Sequence, residues 1–144
     1  MIKKIIYPFL ALSWMIIIYS LSAKTADVSG SESNYIIEWI LQKFTNSPSQ
    51  SLIDSCEVIF RKLCHFGEYA VLSFFVYMSF RTYGFSKKKS ALTILVCLIY
   101  AISDEIHQYY VPGRACRLLD IFIDTIGAIF TYFVVNIKFI LRIE

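Results

Sequence analysis

The residues that could do chemistry lie in three short segments, each next to an apolar run. An imidazole beside a carboxylate can act as a general base with an orienting partner, and His65 has Glu68 and Glu105 as candidate partners. Lys and Arg side chains can hold a phosphate or a carboxylate, Arg through a bidentate fork. These residue types indicate acid–base chemistry or recognition of an anionic group. The three segments contain Lys62, His65, Glu68 and Tyr69, then Asp104, Glu105, His107 and Gln108, and then Arg117, Asp120 and Asp124.

Clusters of Asp and His can also hold a divalent metal ion. The chain has no HExxH or CxxC spacing, so this signal is weak. We assign no metal ligands from the sequence, and the cofactor stays unknown.

The elements that must position these residues are strongly apolar. The 144-residue chain is 57% hydrophobic and 17% charged, with a formal net charge of +3 and a mean hydropathy of +0.59. Soluble domains are roughly 45–50% hydrophobic and about 25% charged. This composition excludes a soluble globule, a disordered tail and a nucleic-acid-binding module. We expect an all-α membrane protein that forms one domain over residues 1–144.

The first uncharged run, Ile5 to Ala23, is close to the roughly 20 residues that a spanning helix needs. Three later runs would make only about 18–21 Å of helix at ~1.5 Å per residue, less than the hydrocarbon core of about 30 Å. Each must therefore extend through a neighbouring polar segment. The four predicted spans are residues 5–23, 62–80, 90–110 and 118–137.

The order of these spans predicts that the polar segments meet. Because consecutive spans alternate direction, the start of span two, the end of span three and the start of span four lie on one side of the membrane. Lys62, His65 and Tyr69 share a helix face by their i, i+3, i+7 spacing, and the stripe on span four has the same spacing. The turn before span four adds Arg114. We expect one inward-facing polar site, and we expect Arg61 to reach the head groups as a helix-end anchor outside that site.

The distribution of basic residues predicts the orientation. Short cytoplasmic loops carry an excess of Lys and Arg, and the ends opposite the polar segments are basic with a single acid, Glu144. We therefore place both termini in the cytoplasm and the polar site toward the extracytoplasmic leaflet. The basic residues behind this prediction are Lys3, Lys4, Arg81, Lys87, Lys88, Lys89, Lys138 and Arg142.

Two features of the first part of the chain allow more than one interpretation. The first apolar run has the flanks of a secretory signal, but we expect an uncleaved anchor because cleavage would remove one of four spans. The connection from Lys24 to Arg61 is either a short interfacial helix or a solvated loop. Its apolar residues at helical spacing are Tyr35, Ile36, Trp39, Ile40 and Phe44.

Two motifs and three following residues resemble the signature of the VanZ-like family. The motifs are R-K-L-C-H-F-G-E-Y from Arg61 to Tyr69 and S-D-E-I-H-Q-Y-Y-V-P-G-R from Ser103 to Arg114, and the three residues are Asp120, Asp124 and Gly127. The resemblance implies a small bacterial integral membrane protein related to a teicoplanin-resistance protein, with no established reaction. The first span ends in S-L-S-A-K where relatives usually have a Ser-rich stretch with Gln, so Ser22 is not assigned to the site. By motif position the resemblance selects Lys62, His65, Glu68, Tyr69, Asp104, Glu105, His107, Gln108, Arg114 and Asp120.

These observations support two hypotheses about function. They do not decide whether the protein is an enzyme. In the first, a polar pocket at the outer leaflet acts on or binds a membrane lipid or a lipid-linked or lipid-tailed envelope compound, and so contributes to glycopeptide resistance. In the second, a non-catalytic binder sequesters a lipoglycopeptide or docks onto another envelope protein through Tyr35, Ile36 and Trp39. We expect no nucleic-acid partner, and oligomerisation is compatible with four spans. The first hypothesis assigns His65, Glu68, Glu105, Asp104, His107 and Asp120 to catalysis, and Lys62, Tyr69, Gln108, Arg114, Arg117 and Asp124 to substrate binding.

Overall fold

The computed structural model describes residues 2–85 and 89–140, with the side chains of 138–140 left out. The described residues form helices and connections without a strand. Four of the helices are long and apolar enough to cross a membrane, which confirms the predicted all-α, four-span architecture. Lys87, Lys88, Arg142 and Glu144, which enter the predicted orientation, lie outside the described residues, as does the Lys138 side chain. The helices are α1 (Ile2–Ser22), α2 (Ala26–Leu41), α3 (Gln50–Thr82), α4 (Lys89–Tyr109) and α5 (Leu118–Ile140).

Helix α3 is longer than the second predicted span, because it begins at Gln50 rather than at Lys62. The side chain of Ser49 caps it by accepting a hydrogen bond of 3.3 Å from the backbone N–H of Leu52. The segment from Gln50 to Lys62 contains no Gly or Pro, so nothing interrupts the helix. The polar part of α3 therefore continues as rigid helix beyond the apolar run.

The first connection contains a helix, α2, as one of the two alternatives predicts. It starts earlier than the apolar pattern suggests, after Thr25, whose side chain accepts a hydrogen bond from the N–H of Val28. Ile37 is buried against the bundle, whereas Tyr35 and Trp39 are exposed. Helix α2 packs on the N-terminal part of α3 and covers one side of the polar end of the bundle.

Helix α3 is central and contacts α1, α2, α4 and α5. Its crossing with α5 is close, since a Cβ atom on Gly127 would overlap the carbonyl oxygen of Phe66. Hydroxyl groups stabilise the same crossing: Ser73 donates to the Ala128 carbonyl at 2.9 Å, and Thr131 donates to the Ala70 carbonyl at 2.7 Å. Small residues and interhelical hydrogen bonds are typical of helix packing in membranes. The crossing brings the polar faces of α3 and α5 together.

Hydrogen bonds to backbone carbonyl groups hold helix α1 to the bundle. The indole N–H of Trp14 donates to the Glu68 carbonyl at 2.9 Å, and the Tyr100 hydroxyl donates to the Met15 carbonyl at 2.6 Å. These bonds join α1 to α3 and α4. They bring the C-terminal end of α1 to the polar end of the bundle, beside the residues that the sequence singles out.

Candidate functional site

The polar ends of α3, α4 and α5 meet at one end of the bundle, as the order of the spans predicts, and the end of α1 lies beside them. Lys62 on α3 and Asp120 on α5 form an ion pair. On the other side, the Ser22 hydroxyl of α1 donates to Oδ2 of Asp104 on α4 at 2.8 Å. We call this region the polar end of the bundle.

Lys62 and Asp120 are each engaged by the other in their ion pair. The Lys62 side chain is 25% exposed and that of Asp120 is 8% exposed, so the pair is largely removed from water. Removing one member of such a pair leaves the other charge without compensation. The ammonium group assigned to substrate binding is therefore bound to a carboxylate that also ties α3 to α5.

His65 lies beside Asp124. Its Nδ1 atom is 3.3 Å from Oδ1 of Asp124, whose side chain is fully buried. An imidazole next to a buried carboxylate is the arrangement of a general base and its orienting partner. The structure brings His65 to Asp124 in this position, whereas the sequence suggested Glu68 or Glu105.

The two neighbouring carboxylates of α4 have different surroundings. Oδ2 of Asp104 accepts hydrogen bonds from Ser22 and, at 3.1 Å, from the side-chain amide of Gln108. Oε2 of Glu105 accepts a hydrogen bond of 2.7 Å from the backbone N–H of Arg117, and its Oε1 has no partner among the described residues. Each carboxylate thus has one hydrogen-bonded oxygen and one oxygen, Oδ1 of Asp104 and Oε1 of Glu105, without a partner among the described residues, and the side chain of Glu105 is fully buried.

Two other predicted site residues differ in burial. The side chain of Tyr69 is fully buried, and its hydroxyl has no partner among the described residues. The ring of His107 stacks on Tyr19 with 4.4 Å between the ring centroids. Tyr69 therefore packs inside the bundle, whereas His107 is half-buried against an exposed tyrosine.

Two cavities open at the polar end. The larger has a volume of about 230 Å³ and lies between α2, the C-terminal end of α1 and the middle of α3. The smaller, about 100 Å³, lies beside the turn before α5. Glu68 borders the larger cavity, and Lys62, Arg117 and Asp120 border the smaller. Tyr69, Asp104, Glu105, His107 and Asp124 border neither. Four residues border both: Arg61, His65, Gln108 and Arg114.

Arg114 is positioned by a turn that docks on the junction of α1 and α2. Gly113 has φ of +74°, a conformation that favours glycine, and a Cβ atom there would lie 2.9 Å from the Cβ of Ala26. Nε of Arg114 donates to the Lys24 carbonyl at 3.1 Å. Burial, together with the nearby charge of Arg61, lowers the pKa of Arg114 from its usual value, although an Arg side chain stays protonated in proteins. The turn thus places a fixed cation at both cavities.

Arg61 and Ser22 belong to the polar end although the sequence analysis did not assign them to the site. Arg61 lies four residues before His65 and seven before Glu68, so helical spacing puts all three on one face, which is the signal that could have identified it. Ser22 could have been found from the alternation of the spans, which brings the end of the first span to the same side.

An apolar groove of about 190 Å³ lies between α2 and α3. Phe60 borders this groove and also the larger polar cavity. The two surfaces are therefore continuous around one aromatic side chain. The groove is lined by Ile37, Ile40, Leu41, Cys56, Ile59, Phe60 and Leu63.

Comparison with known proteins gives one match. A family model described as VanZ/LLP1 covers residues 7–140, nearly the whole chain, so the chain belongs to the VanZ-like family that its motifs resemble. No curated protein and no solved structure gives a significant match.

Proposed function

We propose that this VanZ-like membrane protein holds an envelope amphiphile at its polar end, with an anionic head group in the cavities and an acyl chain along the α2–α3 groove. One observation carries the proposal: Phe60 borders both the larger polar cavity and the apolar groove. A polar surface continuous with an apolar one matches a lipid or a lipid-linked or lipid-tailed compound.

The arginines are the cations suited to the head group. Arg61 and Arg114 border both cavities, and a guanidinium binds phosphate or carboxylate through paired N–H groups. Lys62 is bound to Asp120 and is less suited to this role. The head group would therefore lie between Arg61 and Arg114, close to His65.

The polar end would face the extracytoplasmic leaflet, with both termini in the cytoplasm. In that orientation the protein would reach amphiphiles of the outer leaflet, including wall-related intermediates and teicoplanin, a lipid-tailed glycopeptide. Binding or altering such a compound would contribute to glycopeptide resistance, the role that family membership suggests.

Turnover is compatible with the same geometry. His65 borders both cavities and has Asp124 3.3 Å from its Nδ1 atom, so the imidazole can take a proton from a bound group while the carboxylate orients it. Lys62 would act through its pair with Asp120 by fixing the helix that carries His65.

Lipid binding by the purified full chain tests the proposal. The probe is fluorescent phosphatidylglycerol, with phosphatidylcholine as the zwitterionic comparison. We expect the R61Q/R114Q double variant to bind phosphatidylglycerol about tenfold or more weakly than the wild type, corresponding to ~1.4 kcal/mol or more. The matched control is R81Q, which removes an exposed Arg from the other end of α3. Unchanged binding by R61Q/R114Q would refute the proposal.

A second candidate function rests on the outer face of α2. Tyr35 is 73% exposed and Trp39 is 58% exposed, which suits contact with a membrane surface, a lipoglycopeptide or another envelope protein. In this case the protein is a non-catalytic binder. Protection of a sensitive host would then be lost in a Y35S/W39S variant and kept in R61Q/R114Q, the reverse of what the first proposal expects.

A further inference from the structure

Three ionisable side chains from three different helices converge behind the two cavities. They are His65 on α3, Glu105 on α4 and Asp124 on α5. One nitrogen or oxygen atom of each lies within 4.8 Å of the corresponding atoms of the other two. We propose that His65, Glu105 and Asp124 bind a divalent transition-metal ion such as Zn²⁺ or Mn²⁺.

The burial of the two carboxylates and their missing hydrogen-bond partners support this proposal. Glu105 and Asp124 are both 0% exposed. Oε1 of Glu105 and both oxygens of Asp124 have no hydrogen-bond partner among the described residues, nor does Nδ1 of His65. Buried polar groups are normally hydrogen-bonded, and buried charges are normally paired or bound to a metal. Nδ1 of His65 and Oδ1 of Asp124 lie 3.3 Å apart without a hydrogen bond, so a metal ion in the cluster would satisfy polar atoms that the protein leaves without a partner.

The neighbouring Lys and Arg side chains do not neutralise these two carboxylates. Among the described residues, no Lys or Arg forms an ion pair with Glu105 or Asp124. Lys62 is paired with Asp120, and Nε of Arg114 donates to the Lys24 carbonyl. A divalent cation would supply the positive charge that the two carboxylates lack.

The set of donors indicates the class of ion. One imidazole nitrogen with two carboxylate oxygens suits Zn²⁺ and Mn²⁺ better than Ca²⁺, which prefers six to eight oxygen ligands. Three protein ligands also leave a coordination position open, as in catalytic zinc sites. Ligand atoms about 2.1 Å from a tetrahedral ion are about 3.4 Å apart. Nδ1 of His65 and Oδ1 of Asp124, 3.3 Å apart, already have this spacing, and any pair in the cluster as far apart as 4.8 Å would close in on binding.

This inference goes beyond amphiphile binding and does not depend on it, but it is an alternative to turnover through His65, because an imidazole and a carboxylate that bind an ion do not act as a general base and its orienting partner. His65 borders both cavities, so an ion held by His65 would lie next to the proposed head group. An anionic head group could then contact the ion as well as Arg61 and Arg114. Metal content and lipid binding are measured separately, which keeps failure of one proposal distinct from failure of the other.

Metal binding by the tag-free full chain in detergent tests the proposal. The protein is stripped with a chelator and titrated with Zn²⁺ and, separately, Mn²⁺, and bound metal is measured by mass spectrometry. We expect one ion per chain for at least one of the two metals. We expect binding about tenfold or more weaker in D124N and in E105Q, because each removes a ligand charge without changing side-chain size.

The chain offers matched controls for each ligand type. D104N changes the neighbouring buried carboxylate on α4, which lies outside the cluster and accepts hydrogen bonds from Ser22 and Gln108, and H107N changes an imidazole outside the cluster that stacks on Tyr19. Both variants should bind the metal as the wild type does, and circular dichroism should show equal helix content in all four. Absence of both metals from the wild type would overturn the proposal, as would equal binding by D124N, E105Q and the two controls.

Discussion

Nδ1 of His65 lies 3.3 Å from Oδ1 of Asp124, and this relationship depends on the close crossing of α3 and α5. One turn after Asp124, Gly127 lies against the carbonyl oxygen of Phe66, the residue that follows His65. The missing side chain at Gly127 lets α5 approach α3, and the approach brings Asp124 to the imidazole. The contact between His65 and Asp124 thus results from the packing of α5 on α3.

The close crossing of α3 and α5 predicts that two glycine substitutions differ strongly in their effect on stability. In G127A the added methyl group overlaps the Phe66 carbonyl, and we expect a loss of roughly 1–3 kcal/mol in the free energy of unfolding from overpacking. In G67A, on α3, the methyl group meets nothing within 4 Å and improves helix propensity by up to about 1 kcal/mol. Thermal unfolding in detergent should show a lower midpoint for G127A only. Equal midpoints for the two variants would show that the close crossing is not required.

The Lys62–Asp120 pair predicts non-additive effects on stability. K62M leaves a nearly buried carboxylate without its cation, and D120N leaves the ammonium without its anion. Because Lys62 is partly exposed, we expect each single variant to lose about 2 kcal/mol, less than the 3–5 kcal/mol typical of fully buried pairs. The double variant should lose less than the sum of the two singles. Denaturant or thermal unfolding of the four proteins measures this coupling, and strictly additive losses would mean that the pair contributes nothing.

The turn at Gly113 predicts an effect on binding that can be separated from backbone strain. Gly113 and Gly84 have φ of +74° and +86°, so alanine is strained at both positions. Only at Gly113 would the new methyl group also meet another residue, the Cβ of Ala26 at 2.9 Å. We expect both variants to lose stability through backbone strain, G113A more because of its contact with Ala26, while only G113A displaces Arg114 and weakens phosphatidylglycerol binding. If G84A weakens binding equally, the turn does not position the head-group site.

The proposed orientation predicts which cysteines react from outside the cell. Cys116 is exposed at the polar end, next to the start of α5. A chain that keeps Cys116 alone should be labelled in intact cells by a membrane-impermeant thiol reagent. A chain with Tyr83→Cys alone, at the other end of α3, should be labelled only after permeabilisation. The opposite pattern of labelling would place the polar end in the cytoplasm.

Much of the architecture could be predicted because it follows from length and order. Apolar runs too short to span a bilayer require polar extensions, and alternating spans bring those extensions to one end. The partners within the polar end could not be predicted in the same way. His65 contacts Asp124 because of how α3 and α5 rotate and cross, which the spacing within one helix does not specify.

The sequence analysis left Arg61 outside the site for a related reason. An Arg at the end of an apolar run is usually a head-group anchor, and the sequence does not show that Gln50–Arg61 continues α3 as helix. Once that continuation is known, Arg61 falls on the face of His65 and Glu68, beside both cavities. The N-terminal extension of α3 thus decides whether this cation belongs to the membrane surface or to the site.

Protection against teicoplanin tests the central claim most directly, namely that the polar end holds the amphiphile on which function depends. The wild type, R61Q/R114Q and R81Q are expressed in a glycopeptide-sensitive Gram-positive host at matched membrane levels, with vancomycin as the comparison drug. We expect the wild type and R81Q to protect against teicoplanin, and R61Q/R114Q to give little or no protection. Equal protection by R61Q/R114Q and the wild type, or no protection by the wild type, would contradict the account.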